Sequence, residues 1–412
     1  MSAANERISS PELAVRKLID HAAAEKLEIS YRTAGSGLQT TTCYLSSDGV
    51  RSATGRGKGV GPQSMASALF EAFEHYHHQY ENTSEKLRSV VFHADNLNEE
   101  LGGGSPDFGL IFGHRPAELS CLYFQSLAGK EAPFAFPAIL LNPAFEPQSA
   151  KERALIEQTR FYRYSTNSGT AAGQDADEAV LHGLLEIIER DAVGLALIET
   201  VLSPNPKAVR AIKIDTLAER CRWIASEIIR ETKGELKVWD ITSDIGVPAV
   251  LCALSASSQF IYRFFGSGAS LSSEYAVERA MLEALQGYHI QFSLGEPLQA
   301  PLKRSVGRMT LFQRCALSAG YFEYRGGTTD INACDVGFGG RTSSEMALGN
   351  QIEFLVNALG KRGINCYWRS IYLGGLAVVQ VIAPRLERMY LISHGIPIAA
   401  GGRGRAAKRA TL

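Results

Sequence analysis

Residues 173–199 read GQDADEAVLHGLLEIIERDAVGLALIE. Val180, Leu181, Leu184, Leu185, Ile187 and Ile188 recur at helical spacing, and Glu178, His182, Glu186 and Glu189 share the opposite face, with Arg190 at its edge. The spacing predicts a helix over 177–199 that lays one face on a core. Its other face is unusual. From Gln174 to Glu189 there are five acids, Asp175, Asp177, Glu178, Glu186 and Glu189, and no Lys or Arg. A solvated helix face ordinarily interleaves Glu with Lys or Arg at i, i+4, each pair contributing ~0.2–0.5 kcal/mol. Asp175 and Glu178 also fit a capping box, which would give Glu178 a purely structural role.

Two further segments carry the same pattern. Over Pro62–Tyr80, Met65, Ala68, Leu69, Ala72, Phe73 and Tyr76 form the apolar stripe, while Ser67, Glu71, Glu74 and His78 line the other side. No Lys or Arg occurs between Gln63 and Glu81. Over Ser273–Phe292, Arg279, Glu283 and Gln286 form a polar line opposite Val277, Met281, Ala284, Leu285 and Tyr288. Any one such face reads as solvated surface. Repetition on two cation-free helices points instead to positive charge supplied from outside. Mg2+ meets that need, because it prefers six oxygen ligands and bridges one or two carboxylates to phosphates. Arg279 would then meet phosphate as a planar fork.

The result is an ATP site without a P-loop. In Gly55-Arg56-Gly57-Lys58-Gly59-Val60-Gly61, Lys58 is followed by Gly59 where a Walker loop needs Ser or Thr, and no GxGxxG is present. The stretch reads as a flexible turn presenting N–H groups at the start of the Pro62 helix. His75, His77 and His78 look like a metal box, but only His75 and His78 share a face, and the expected reading is a solvated helix end.

Across the 412 residues, strand-like alternation at Leu27–Thr33, Thr40–Leu45, Val50–Thr54, Leu119–Phe124, Ala138–Leu141, Leu236–Asp240, Ala249–Leu254 and Ala377–Val381 mixes with the helical patterns. This predicts an α/β (α+β) fold of mixed sheets with packed helices. Residues 1–55, opening with a helix over Pro11–Lys26, form an elaboration of the same unit; 56–400 form its body. Gly102–Ser105 and Arg325–Gly340 read as loops. The end, 401–412, has four cations, Arg403, Arg405, Lys408 and Arg409, and is expected to be a flexible basic tail. Lys plus Arg total 42 against 43 Asp plus Glu, so no overall basic charge grips a nucleic acid. The seven cysteines contain no CxxC and form no evident disulfide framework. Without a signal-peptide layout or ~18 uninterrupted apolar residues, a cytoplasmic protein with no membrane association is expected.

Three segments together resemble the YcaO family. They are Ser67-x3-Glu71-x2-Glu74 after the GKG stretch; Thr166-Asn-Ser-Gly-Thr-Ala-Ala-Gly173 followed by Glu178 and Glu186-x2-Glu189-Arg190-Asp191; and Arg279-x3-Glu283-x2-Gln286 after Gly266-Ser-Gly268. The resemblance implies a YcaO-type ATP-binding fold that uses ATP and Mg2+ to activate peptide backbone amides. It implies that Ser67, Gln174, Glu178, Arg190, Arg279, Gln286 and, more weakly, Lys58 hold the nucleotide, and that Glu71, Glu74, Glu178, Glu186, Glu189 and Glu283 serve the metal. The implied product is a thiazoline or oxazoline from Cys, Ser or Thr of a ribosomally synthesised precursor peptide, as in bacteriocin biosynthesis. Its alternatives are a thioamide made with a TfuA-like partner, or a non-catalytic ATP- or peptide-binding subunit. Two departures stand out. The chain lacks the proline-rich ending of many azoline formers, and the residues before the GKG stretch are too few for a fused ThiF-type domain. A separately encoded ThiF-type or TfuA-type partner is therefore implied, with a flavin dehydrogenase as a further candidate and a homodimer left open.

Overall fold

A computed structural model describes residues 6–81, 86–93, 108–113, 115–129, 132–256, 262–295, 310, 326–333 and 346–409. Along the chain run α1 (Pro11–Ala24), strands β1 (Glu28–Ala34), β2 (Leu38–Ser47) and β3 (Arg51–Val60), then α2 (Pro62–Gln79). β4 (Arg88–Phe92), a short α3 (Phe108–Phe112), β5 (Ala117–Ser126), β6 (Phe134–Pro137), α4 (Ala150–Thr159) and β7 (Thr170–Gly173) lead to the long α5 (Ala176–Leu197). β8 (Val209–Ile212), α6 (Glu219–Thr232), β9 (Glu235–Asp240), β10 (Ala249–Ala256) and β11 (Tyr262–Ala269) precede α7 (Ser273–Phe292). The described chain ends with β12 (Thr328–Ile331), α8 (Leu348–Gly360), β13 (Tyr367–Leu373), β14 (Ala377–Ile382) and α9 (Gly402–Arg409).

Among the described residues the strands form three sheets. β1-β2-β3 is an antiparallel meander. The second runs β4-β5-β13-β14-β7, with β6 beside β5, and is antiparallel throughout. The third runs β11-β10-β9-β8-β12, where only β8–β12 is parallel.

Helices α2, α5 and α7 bind these sheets together. The predicted apolar stripes are all inward: Leu69 and Phe73 of α2 meet Cys43 and Leu45, and Val277 and Met281 of α7 meet Val250 and Cys252. α5 is apolar almost all round, as a helix enclosed on several sides must be. Its first half packs on Val379 and Val381 of β14, and its second half on Trp239, Leu251 and Ala269 of the third sheet. Leu184 and Ile188 are fully buried, which stabilises by about 1.5–3 kcal/mol each. Asp175 caps α5 through Glu178 N at 2.9 Å.

Several expectations need correction. Gly55–Val60 is not a turn but the second half of β3, because α2 lies directly on it. A Cβ on Gly57 would stand 1.9 Å from Ser64 O and 2.2 Å from Ala68 N, so only glycine permits that approach. Gly266 of β11 makes the same notch for α7, where a Cβ would stand 2.1 Å from Ala280 O. Ala138–Leu141 is a 3-10 turn at Ala138–Leu140, following Pro137, whose missing N–H weakens any strand there. The helical pattern over Ile214–Arg230 divides into a short turn at Ile214–Thr216 and a helix that begins at Glu219.

The expected flexible basic tail is helical from Gly402 to Arg409 and docked. Arg403 Nη2 lies 2.9 Å from buried Asp191 and 2.5 Å from Asp244, while Glu387 accepts the N–H groups of Gly401 and Gly404 at 2.9 and 2.8 Å. Residues 410–412, the Gly102–Ser105 loop, Cys315 and Cys334 lie outside the described residues. The described cysteines are free and buried. No described helix is long and apolar enough to cross a membrane.

Candidate functional site: an acidic cleft between three helices

The three polar helix faces converge rather than facing solvent. From α2, Glu71 accepts the backbone N–H of Arg56, and Glu74 that of Ala172 in β7. From α5, Glu186 reaches Gly169 N at 3.4 Å, and buried Glu189 accepts from Ser267 Oγ of β11 at 2.6 Å. From α7, Glu283 pairs with Lys58 of β3 at 2.5 Å, and Gln286 donates to Arg56 O at 2.7 Å. Arg279 and Arg190 both approach Glu189, at 3.8 and 3.5 Å, and Arg190 lies 3.7 Å from Glu186. Ser67 is half-buried one turn before Glu71. These side chains lie deep in the protein, yet Lys58 and Glu283 keep 21% and 27% of their side-chain exposure, and Arg190 and Glu186 keep 30% and 22%. They therefore line a cleft.

The cleft has two electrostatic ends. At the first, burial drives the Glu74 carboxyl well above the ordinary carboxylate range, and Glu186 and Glu71 add to the shift by repulsion. Glu71 and Glu186 are raised by burial too, against the pull of His75 and Lys58 on one and Arg190 on the other. At the second end, burial alone would raise Glu189, but Arg190, Arg279, the Ser267 bond and Lys58 together hold it below the usual range. His182 faces that end. Burial pushes its imidazole well below an ordinary histidine, and Arg7, Arg279 and Lys58 reinforce the shift.

Magnesium fits the first end. Glu71, Glu74 and Glu186 are hard oxygen donors, Glu74 is repelled by the other two, and among the described residues no side-chain cation offsets that repulsion. Among the described residues no three His, Cys, Asp or Glu side chains already surround one point as a complete metal cage would. Mg2+ needs no such cage, since it retains waters and shares phosphate oxygens.

Gln174 and Glu178 sit apart from that end, under the N-terminal segment. Arg7 Nη1 is 3.3 Å from Glu178 Oε1, Ile8 N donates to Glu178 Oε2 at 3.1 Å, and Ser9 Oγ donates to Gln174 Oε1 at 2.9 Å. Lys17 Nζ reaches Gln174 O at 2.8 Å. Glu6 bonds Ser270 and lies close to Arg279. The capping-box reading is thus half right: Asp175 caps the helix, but Glu178's carboxylate goes to Arg7 and Ile8. Sequence reasoning missed Glu6, Arg7, Ile8, Ser9 and Ser267, whose roles arise only through long-range contacts. His182 stood on the right face of α5 and lacked only a neighbour to interpret it.

The histidine trio is not solvated. His75 Nδ1 bonds Thr54 O at 2.7 Å, His77 stacks on Tyr372 with ring centroids 4.1 Å apart, and burial pushes the buried His78 down to about 4.

The YcaO family model, described as YcaO cyclodehydratase, ATP- and Mg2+-binding, matches residues 56–387. The chain belongs to the YcaO family. ATP and Mg2+ are accordingly its cofactors. An uncharacterized protein of Methanothermobacter thermautotrophicus is 29% identical over 245 residues, 56% of each chain. An uncharacterized protein in the tfuA 3′ region of Rhizobium leguminosarum bv. trifolii is 32% identical over 91 residues, 22% of this chain and 20% of that one. The match thus spans little more than half the length of the first of these relatives. Among solved structures, YcaO from Methanopyrus kandleri bound with AMPPCP and Mg2+ is similar at TM-score 0.66 and 20% identity, covering 95% of both chains. A heterocyclase in complex with substrate and cofactor is similar at TM-score 0.68 and 20% identity, covering 94% of this chain and 54% of the other.

Proposed function

We propose that the protein uses ATP to activate a backbone amide of a ribosomally synthesised peptide, closing Cys, Ser or Thr onto the preceding carbonyl to give a thiazoline or oxazoline. The observation that carries this reading is the single cleft in which Glu71, Glu74, Glu186, Glu189 and Glu283 meet Lys58, Arg190 and Arg279. The side-chain sulfur or oxygen attacks the amide carbon, and the carbonyl electrons pass to its oxygen. That oxygen attacks the γ-phosphorus, the bond to the bridging oxygen breaks, and ADP leaves. The carbon–oxygen bond then breaks as phosphate departs, while the nucleophile and the amide nitrogen each give up a proton. Net, the amide oxygen ends in phosphate.

Glu71, Glu74 and Glu186 would hold Mg2+ at the first end, with Glu189 and Glu283 along the cleft and Glu178 toward the N-terminal segment as further carboxylates for it. The metal would supply neutralisation of the charge that develops on the phosphates. Lys58, Arg190 and Arg279 orient the phosphates, and Gln174, Glu178, Gln286 and Ser67 fix the rest of the nucleotide. Positioning and charge stabilisation supply most of the acceleration in phosphoryl transfer. Arg190 is braced for this task by Glu186, Glu189 and the ring of Tyr390, 5.6 Å below it.

A second reading keeps the site and replaces the side-chain nucleophile with sulfide, giving a thioamide. The tfuA-adjacent relative favours it, and with it a TfuA-type partner. A ThiF-type partner belongs to the first reading. Mass spectrometry of peptides encoded beside the gene, after incubation with protein, partner, ATP and Mg2+, separates the readings. Loss of water marks the azoline, and exchange of oxygen for sulfur marks the thioamide. An unchanged peptide mass alongside normal ATP consumption would sink both.

A further inference from the structure

Strand β1 (Glu28–Ala34) ends the first sheet, and its outer edge is open. It pairs with β2, and among the described residues no strand, turn or side chain bonds its other side. Such an edge presents unpaired N–H and C=O groups that template a further strand unless proline, a bulge, repelling charge or a cover blunts it. The opposite edge of the same sheet is covered. On β3, His75 bonds Thr54 O, Gln286 donates to Arg56 O, and Glu71 accepts the Arg56 N–H. β1 has no such seal. It contains no proline, pairs with β2 without a bulge, and leaves Glu28, Ser30, Tyr31, Arg32 and Thr33 exposed.

The strand, Glu28-Ile-Ser-Tyr-Arg-Thr-Ala34, is complementary to itself when run antiparallel. A two-fold axis through Ser30 sets Glu28 opposite Arg32 of a second copy, Ile29 opposite Tyr31, and Ser30 opposite Ser30. Paired residues then point to the same face of the sheet, as the pleat requires. An axis through Ile29 or Tyr31 puts neither charge opposite its complement. Within one chain the two charges cannot meet, since four residues of strand hold them about 13 Å apart. Among the described residues neither is in an ion pair. On the other face, Ile29 and Tyr31 lie beside Leu45 and Cys43 of the core, and Tyr31 keeps 58% of its surface exposed. A second strand would extend that core across the axis. Opposite charges and aromatic with β-branched side chains are the cross-strand pairs that favour a sheet. A net charge of -1 per chain opposes the approach little. We infer that β1 is the interface between two copies of this chain, joined about this axis into one six-stranded antiparallel sheet ordered β3-β2-β1-β1-β2-β3. Two Glu–Arg pairs, two Ile–Tyr pairs and one Ser–Ser pair make a small interface, so the dimer forms and dissociates with concentration.

The test is sedimentation equilibrium on the full chain from about 1 to 100 µM. The average mass should rise with concentration from 44.7 kDa toward twice that value. Glu28→Arg and Arg32→Glu each set like charges opposite one another, and each should raise the dissociation constant about tenfold or more. Mixed in equal amounts, the two single variants should associate with native affinity, because the basic edge of one then meets the acidic edge of the other. A native protein that stays monomeric would overturn the pairing and leave the edge to a partner of another kind. Dimers insensitive to both substitutions would overturn β1 as the interface. No recovery on mixing variants whose thermal unfolding is native would overturn this register.

Discussion

Glu74 shows most clearly what the site costs the fold. Its carboxyl is buried near Glu186 and Glu71, and among the described residues only the Ala172 N–H favours its charged form. A carboxyl raised above its unfolded value favours the protonated folded state. Its contribution to stability is complete below the ordinary carboxylate range and is lost as pH rises through the raised value. Metal-free protein should therefore lose thermal stability as pH rises above the ordinary carboxylate range, where Mg·ATP should restore more of it than at low pH. Differential scanning fluorimetry from that range upward, with and without Mg·ATP, reads both effects. Glu74→Gln should raise the metal-free Tm by about 1–2 °C while abolishing ATP turnover. A metal-free Tm that falls in this variant would place Glu74 in a structural role.

At the scale of elements, helix and strand meet through notches. β3 accepts α2 only because Gly55 and Gly57 lack side chains, and that contact carries Ser67, Glu71 and Glu74 to their places. Gly57→Ala should cost about 3 kcal/mol or more, read as a lower denaturation midpoint. Tolerance of alanine would mean that α2 lies farther from the strand. The three helices were legible in the sequence because their apolar periods are long and regular, and α7 begins and ends at the expected residues. β3 was not, because its glycines carry the signature of a turn while serving as a packing surface. The N-terminal segment was equally silent, since Glu6–Ser9 acquire partners only when Gln174 and Glu178 fold beneath them. Arg7→Ala should raise the KM for ATP about tenfold, as Arg7 adds a cation beside Glu178 and His182. An unchanged KM would make the segment a passive cover.

At the scale of the molecule, a near-neutral chain divides into a cleft rich in carboxylates and a C-terminus rich in cations. The two sit on one helix without cancelling. Arg190 faces the cleft, whereas the next residue, Asp191, turns away to Arg403 of α9. The basic end thus braces α5 from behind. Arg403→Ala would leave Asp191 buried without its guanidinium and should cost about 3–5 kcal/mol in thermal or urea unfolding. A loss under 1 kcal/mol would show the docked helix to be incidental. Composition hid this arrangement because partners of opposite charge lay more than 200 residues apart, here 212 between Arg403 and Asp191. The convergence of the acidic faces was inferable from two cation-free helices and a third with a matching polar line, but their distances were not.

On the proposed reading, ATP removes the oxygen of a peptide amide, whichever nucleophile follows. The most direct measurement is the fate of that oxygen, using a peptide substrate labelled with oxygen-18 at the modified carbonyl. Incubation with protein, partner, Mg2+ and ATP should place the heavy oxygen in inorganic phosphate, one atom per modified residue, and Glu186→Gln should abolish the transfer. Phosphate free of label beside a modified peptide would contradict the account.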